Sequence, residues 1–368
     1  MPFSRLTALL AALLLAQRLP AQDTASAPPP PPSHPSNEPA PAAPAVQIDG
    51  LLQVWYLDGH TITNAHDTYR IRRADIKLSG VISPRVRWHI SFDGAKALNL
   101  NKSTTVIGDS SALKDAAVDQ RSRILQEASI NVAILPSLRV DVGQQIIPLS
   151  YEGITGASQI ETIERTMFIA ERARGGGISD VRDLGAEARG SVVNGFVDYQ
   201  IGVFNEFGDS QNSTDQNDQK ATIGRVAFHL PYLSALQLGV SGGMEGGLPP
   251  QRHERAGGDA QFRNRWLTLR SEVMGARDGT LRRLGYYGLG AIRPISEIEL
   301  VGRWDSWDPD LHNETGPVDA AEREIVGGAS YFIEGGATRL AANIVRSTFP
   351  SGRVPSSTML LLALQVVW

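Results

Sequence analysis

The stretch Ser357-Thr358-Met359-Leu360-Leu361-Leu362-Ala363-Leu364-Gln365-Val366-Val367-Trp368 decides how the rest of the chain is read. Leu360, Leu362, Leu364, Val366 and Trp368 fall at every second position and share one face of an extended strand. An apolar row that alternates in this way and ends on a terminal aromatic has the form of the signal read by bacterial outer-membrane assembly machinery. Trp368 is the expected contact with that partner.

The same period of two runs back through the chain to Val46. In Arg85-Val86-Arg87-Trp88-His89-Ile90-Ser91-Phe92-Asp93, the apolar residues Val86, Trp88, Ile90 and Phe92 point one way. The polar residues between them point the other. The segments 74–79, 196–204 and 296–305 follow the same scheme. Short connectors at Ser83-Pro84, Pro136-Ser137, Asn194-Gly195, 231–234, 293–295 and Glu334-Gly335 alternate with long polar ones at 57–67, 97–121, 148–182, 206–218, 246–253, 306–321 and 348–356. Tight turns on one side and long loops on the other are the rhythm of a transmembrane antiparallel β-barrel. Parity then fixes the strand number. Reading 254–276 as one strand gives fifteen and leaves the two ends on opposite sides, whereas a turn at Asn264-Arg265 gives sixteen and restores every connector to its side.

A barrel is also what lipid demands of strands, because every backbone N–H and C=O must be paired within the protein and only a closed sheet does this. Sixteen strands enclose an aqueous channel rather than a core filled by side chains. Trp55, Tyr56, Trp88, Trp266, Trp304, Tyr331 and Trp368 are the expected girdle. The expected fold is therefore all-β, with residues 46–368 forming a barrel of about sixteen strands in the bacterial outer membrane, in contact with its lipid.

The other end of the chain reads as an address. Arg5 precedes an uncharged run of eleven residues, Leu6 to Ala16, too short to span a bilayer, so 1–22 is expected to be a secretory signal peptide. Residues 23–45 form a proline-rich periplasmic linker, with nine prolines among the eighteen residues from 28 to 45 and a preference for extended polyproline II.

Composition excludes several classes of function. With no cysteine there is no disulfide scaffold, thiolate nucleophile or Cys-ligated metal. A formal charge of −4 argues against a nucleic-acid binder. Gly239-Val240-Ser241-Gly242-Gly243 matches the hydrolase elbow pattern, but that motif needs a strand–turn–helix and 244–250 cannot begin a helix. Asp305, Asp308 and Asp310 lack calcium-loop spacing, and the histidines form no HExxH pair. No enzyme, cofactor or metal is expected. Only five of the 35 basic residues are lysine, a bias that fits planar forks for oxyanions and equally a GC-rich coding sequence.

Several stretches resemble the phosphate-selective porins O and P of bacterial outer membranes. Tyr69-Arg70-Ile71-Arg72-Arg73-Ala74 followed by Ser83-Pro84-Arg85-Val86-Arg87-Trp88 looks like the family's arginine-pair strand and hairpin. Leu125-Gln126-Glu127-Ala128-Ser129 resembles its next strand. Val142-Gly143-Gln144-Gln145, Pro148-Leu149 and Glu161-Thr162-Ile163-Glu164-Arg165 resemble the stretch entering its third loop. The likeness spans 46–368 and is most specific over 68–190. It implies a homotrimeric channel for passive diffusion of small hydrophilic solutes, narrowed by an inward-folded third extracellular loop whose basic side chains attract anions such as phosphate. The other functional readings are a secreted soluble β-sandwich that binds a ligand and a non-conducting structural barrel.

The segment 148–182 is the longest connector, and Ile160, Ile163, Met167 and Ala170 within it recur at helical spacing. That spacing predicts a short helix packed on the wall, with Arg165, Arg172 and Arg174 facing the lumen. Acidic residues outnumber arginines in this loop, so it is not positive as a whole. The first strands are the most basic, and with the loop they supply the expected pore-lining, anion-binding set: Arg72, Arg73, Lys77, Arg85, Arg87, Arg165, Arg172 and Arg174. By alternation Arg73 points inward in mid-strand and Arg72 lies nearer the rim.

Overall fold

The computed structural model describes residues 46–60, 67–97, 104–107, 110–114, 124–169, 172, 177–208, 218–230, 233, 235–246, 252–312, 321–350 and 354–368. The expected signal peptide and proline-rich linker, and Ala170 and Arg174 of the third long connector, lie outside these residues.

The chain folds as strands β1 (Gln47–His60), β2 (Thr68–Ser83), β3 (Val86–Asp93), β4 (Thr104–Ile107), β5 (Ser110–Lys114), β6 (Leu125–Leu135), β7 (Leu138–Ile146), β8 (Arg182–Val192) and β9 (Val197–Phe204). They are followed by β10 (Ala221–His229), β11 (Leu236–Glu245), β12 (His253–Arg263), β13 (Leu267–Asp278), β14 (Leu281–Ile295), β15 (Ile298–Asp308), β16 (Glu322–Ile333), β17 (Thr338–Thr348) and β18 (Ser357–Val367). All except β4 and β5 pair with their neighbours into one closed barrel of sixteen strands, and β4 and β5 form a separate hairpin within the second long connector. Closure excludes the β-sandwich.

The seam lies where the first and last strands meet. Leu51 to His60 pair with Val367 to Thr358. Beyond the last paired residues, Gly50 and Trp368 exchange backbone hydrogen bonds of 2.9 and 3.2 Å. The indole of Trp368 lies so close over Gly50 that a Cβ there would overlap it at 2.1 Å. The seam thus needs a glycine at this position.

Alternation along β18 turns Leu360, Leu362, Leu364, Val366 and Trp368 outward and sends Leu361, 2% exposed, and Gln365 inward. Registers carry these rows round the barrel. Ile76, Ile130, Val142, Ile201, Val240, Leu269, Leu300, Ile325 and Ile344 all stand exposed on the outer surface. In water such a surface would be a severe liability; in lipid it is the required one.

Three details depart from the expected layout. Trp55 is not a girdle residue: Gln53, Trp55 and Leu57 occupy the inner face of β1, and Trp55 is 1% exposed. β15 runs on through Ser306, Trp307 and Asp308, still paired with β14. On the long-loop side, β13 and β14 are joined by a tight turn at Gly279-Thr280, where Gly279 takes φ 63°. Ser241 lies in mid-strand within β11, not on an elbow.

Candidate functional site

The described residues of the third long connector, 147–169, 172 and 177–181, do not stand out from the barrel rim. They fold into the lumen, and the apolar residues among them explain why. Leu149, Met167, Phe168, Ile169 and Ile178 are all 3% exposed or less and pack with the inward-facing Phe204, Ile223, Met274, Tyr287 and Trp307. A loop with this many apolar side chains has nowhere else to bury them. Phe168 packs so tightly on the barrel wall that a Cβ on Gly285 would meet it at 2.5 Å.

Polar groups fix the loop's position. The Tyr151 and Glu152 N–H groups donate to the Glu272 carboxylate at 2.7 and 3.2 Å. Ile163 N–H donates to Asn343 Oδ1 at 2.7 Å. Thr166 Oγ1 and Met167 N–H donate to the two oxygens of Asp305 at 2.8 and 2.9 Å. Arg270 forms a two-pronged pair with Glu161 at 2.9 and 3.0 Å. Arg339 donates to the carbonyls of Ile160 and Glu161. These wall groups belong to β13, β15 and β17, so the loop is a fixed constriction laid against one side of the barrel.

The helical spacing of Ile160, Ile163 and Met167 does not become a helix. Among the described residues of the loop, an α-helical turn lies at Tyr151–Ile154, capped by Ser150, whose Oγ accepts from Gly153 N–H at 2.8 Å, and a 3-10 turn follows at Ala157–Gln159. Residues 160–169 are irregular, and several of their backbone groups bond to wall side chains, Ile163 and Met167 N–H and the carbonyls of Ile160 and Glu164 among them.

Each expected basic residue has a definite place. Arg72 is the extra residue of a β-bulge: Gln53 pairs with Arg73 and Val54 with Ile71. A bulge resets the alternation, so Arg70, Arg72 and Arg73 all turn inward, whereas uninterrupted alternation sends Arg72 away from Arg73. The guanidinium carbons of Arg70 and Arg72 lie 4.9 and 5.3 Å from the Trp55 ring centroid. Arg72 reaches Glu164 of the loop at 3.5 Å, and Arg73 donates to Gln53 Oε1 at 3.0 Å.

Arg172 also contributes to this cluster, but its guanidinium forks onto Glu324 at 2.7 and 3.2 Å. Arg165 is 3% exposed and turned into the loop, donating to the carbonyls of Glu152 and Thr155 and facing Asp180 at 3.3 Å. It holds the loop's shape. Burial alone would raise the Glu164 carboxyl, but Arg72, then Arg172, Arg73 and Arg70 outweigh it and hold the pKa down at about 2. Loss of hydration lowers Arg172, but Glu324 and Glu164 more than reverse this and raise its pKa above the ordinary arginine value.

Lys77, Arg85 and Arg87 stand apart from this cluster, towards the short-turn end. Arg85 sits in the β2–β3 turn and is exposed. Lys77 and Arg87 share the inner face and are exposed there. Two further arginines belong to the same wall. Arg139 and Arg189 face each other across β7 and β8, with side chains 46% and 31% exposed, whereas the Asp141 they flank is 0% exposed. The signal for them was present in the alternation of 138–146 and 182–192. Among the described residues, the loop's hydrogen bonds to the wall go mainly to β13, β15, β16 and β17 rather than to β3, β6 and β7.

The model of the family described as "Phosphate-selective porin O and P" matches residues 46–272. This chain belongs to that family. As a porin it is an outer-membrane channel, and both family and fold point to a channel rather than an enzyme. No curated protein matches it. Among solved structures, the porin is similar to an anion-selective porin from Comamonas acidovorans, at 12% identity over 89% of this chain and 100% of that one, with TM-score 0.58. It resembles OmpF of Salmonella typhi in complex with daunomycin, at 10% identity over 88% and 97%, with TM-score 0.59. It also resembles the trimer form of OmpT, an outer-membrane protein of Vibrio cholerae, at 7% identity over 89% and 100%, with TM-score 0.57. At these identities the likeness is one of fold.

Proposed function

We propose that this porin passes small hydrophilic solutes passively and favours anions, phosphate-like oxyanions among them. One observation carries the reading. On the wall of β2, β3, β6, β7 and β8, the most exposed side chains are cationic and most carboxylates are withdrawn, Asp75 and Glu127 staying partly exposed. Lys77, Arg87, Arg139 and Arg189 are exposed or partly so, while Asp93, Asp141 and Glu187 are 3%, 0% and 4% exposed. A solute therefore meets guanidinium and ammonium groups first, in a narrow path where charge is poorly screened. Arg72 and Arg73 add positive charge at the constriction, opposed there by Glu164, while Arg172 is paired with Glu324. The anion-selective Comamonas porin and the trimeric Vibrio protein share this fold, which supports the anion preference and a homotrimer. Trp368, on the outer face of the seam, is the handle for the assembly machinery.

Reversal potentials across planar bilayers in a salt gradient test the preference. The wild-type channel is expected to select anions, and Lys77→Glu with Arg87→Glu to shift the potential towards cations. Cation preference in the wild type, or an unmoved potential in the double variant, contradicts it.

A further inference from the structure

The outer surface of β10–β13 is interrupted where the lipid-facing row should carry apolar side chains. Gly224, Gly242, Ala256 and Gly275 pair consecutively across four strands and face outward. Their missing side chains leave a groove of about 740 Å³, flanked by Ile201 and Met244. One row nearer the long-loop end, Arg277 pairs with Arg282 on the same outer face, and Arg252 lies at the strand end beside them. Glu254 is the acid among them, 2.6 Å from Arg252 and 4.0 Å from Arg277. Three guanidiniums against one carboxylate leave about two positive charges at the mouth of an apolar groove.

We propose that this groove binds a phosphorylated, multiply acylated glycolipid of the outer leaflet. An acyl chain fills the glycine row, and a phosphate is held by Arg277 and Arg282 with Arg252. The charge argues for the phosphate, because guanidinium forks match its oxygens in pairs. The position argues for the leaflet, because the long loops of such barrels face outwards and the arginines sit at that end. The shape argues for the chain, because the missing side chains leave room for one against the wall. The proposal is independent of which ions the pore passes.

Native mass spectrometry of the detergent-purified full chain, titrated separately with lipid A, phosphatidylglycerol and phosphatidylcholine, tests it. Lipid A is expected to be retained most strongly. Arg277→Ala with Arg282→Ala should weaken its retention at least about tenfold, and so should filling the groove by Gly275→Leu, which leaves every charge in place. A Cβ at Gly275 meets its nearest neighbour at an ordinary 3.8 Å, so the fold should tolerate the change. Ala256→Leu provides the same filling should Gly275→Leu fail to assemble. Equal retention of lipid A and phosphatidylcholine, or retention in the filled groove equal to wild type, would overturn the proposal. Preferential retention of phosphatidylglycerol would overturn its glycolipid clause.

Discussion

At the scale of single residues, the pore is a set of charges whose orientation follows from strand period and whose exceptions follow from one bulge. Alternation along β2 and β3 places Arg73, Lys77 and Arg87 on one face, and the register shows that face turned inward. Arg72 joins them only because the bulge inserts one residue between the pairs Gln53–Arg73 and Val54–Ile71. Nothing in the letters around Arg72 marks a bulge, so this orientation was not legible in the sequence. Trp55 was misplaced for a related reason. An aromatic near a strand end suits a lipid girdle, but this one serves as a platform for Arg70 and Arg72.

Glu164 is the residue whose removal should be most informative. Its pKa, lowered from 4.5 to about 2, means that its contribution to stability is complete above about pH 4.5 and is lost as pH falls through about 2. Selectivity measured between pH 5 and 8 should therefore show no titration from this group; an inflection in that range that disappears in Glu164→Gln would contradict the pairing. Glu164→Gln at neutral pH should itself increase anion preference, since it removes the carboxylate opposing Arg72, Arg73 and Arg172. This is checked by the reversal potential.

At the scale of elements, the third long loop carries the argument. The family resemblance implied its inward fold, and its apolar residues at 160, 163 and 167 do end up buried. Their spacing suggested a helix, but wall side chains bond the backbone groups that a helix would pair internally. That competition lies between residues more than a hundred positions apart, as with Met167 and Asp305, and no local reading detects it. Glu324 accepts from both Arg172 and Arg303, so Glu324→Ala removes the carboxylate they share and leaves only Asp305 and Glu164 to compensate two buried cations. The expected cost is about 3–5 kcal/mol, read as a lower unfolding temperature in detergent, together with noisier single-channel currents as the loop loosens. Gly285→Val addresses the same loop sterically. Crowding Phe168 should cost about 1–3 kcal/mol and raise unitary conductance as the constriction is pushed off the wall. Unchanged conductance would show that the loop does not set the narrowest section.

At the scale of the whole molecule, the barrel was the most legible feature, because it is written repeatedly. Period two, the rhythm of short and long connectors and the parity of sixteen each constrain the same answer. The tight Gly279-Thr280 turn on the long-loop side breaks the rhythm without breaking the parity. Closure depends on the seam, where Trp368 and Gly50 complete the hydrogen bonding. Gly50→Leu should therefore slow assembly and lower the temperature at which the folded band is lost on semi-native gels, since its side chain and the Trp368 ring compete for one space.

In this register the wall is wet inside and apolar outside. The chain has no cysteine, so single cysteines can be placed without background. Lys77→Cys, Arg87→Cys and Ile76→Cys should be assembled in planar bilayers and treated with a charged, bulky thiol reagent while current is recorded. A stepwise loss of conductance is expected at positions 77 and 87 and none at 76. A response at 76, or silence at both 77 and 87, would contradict it.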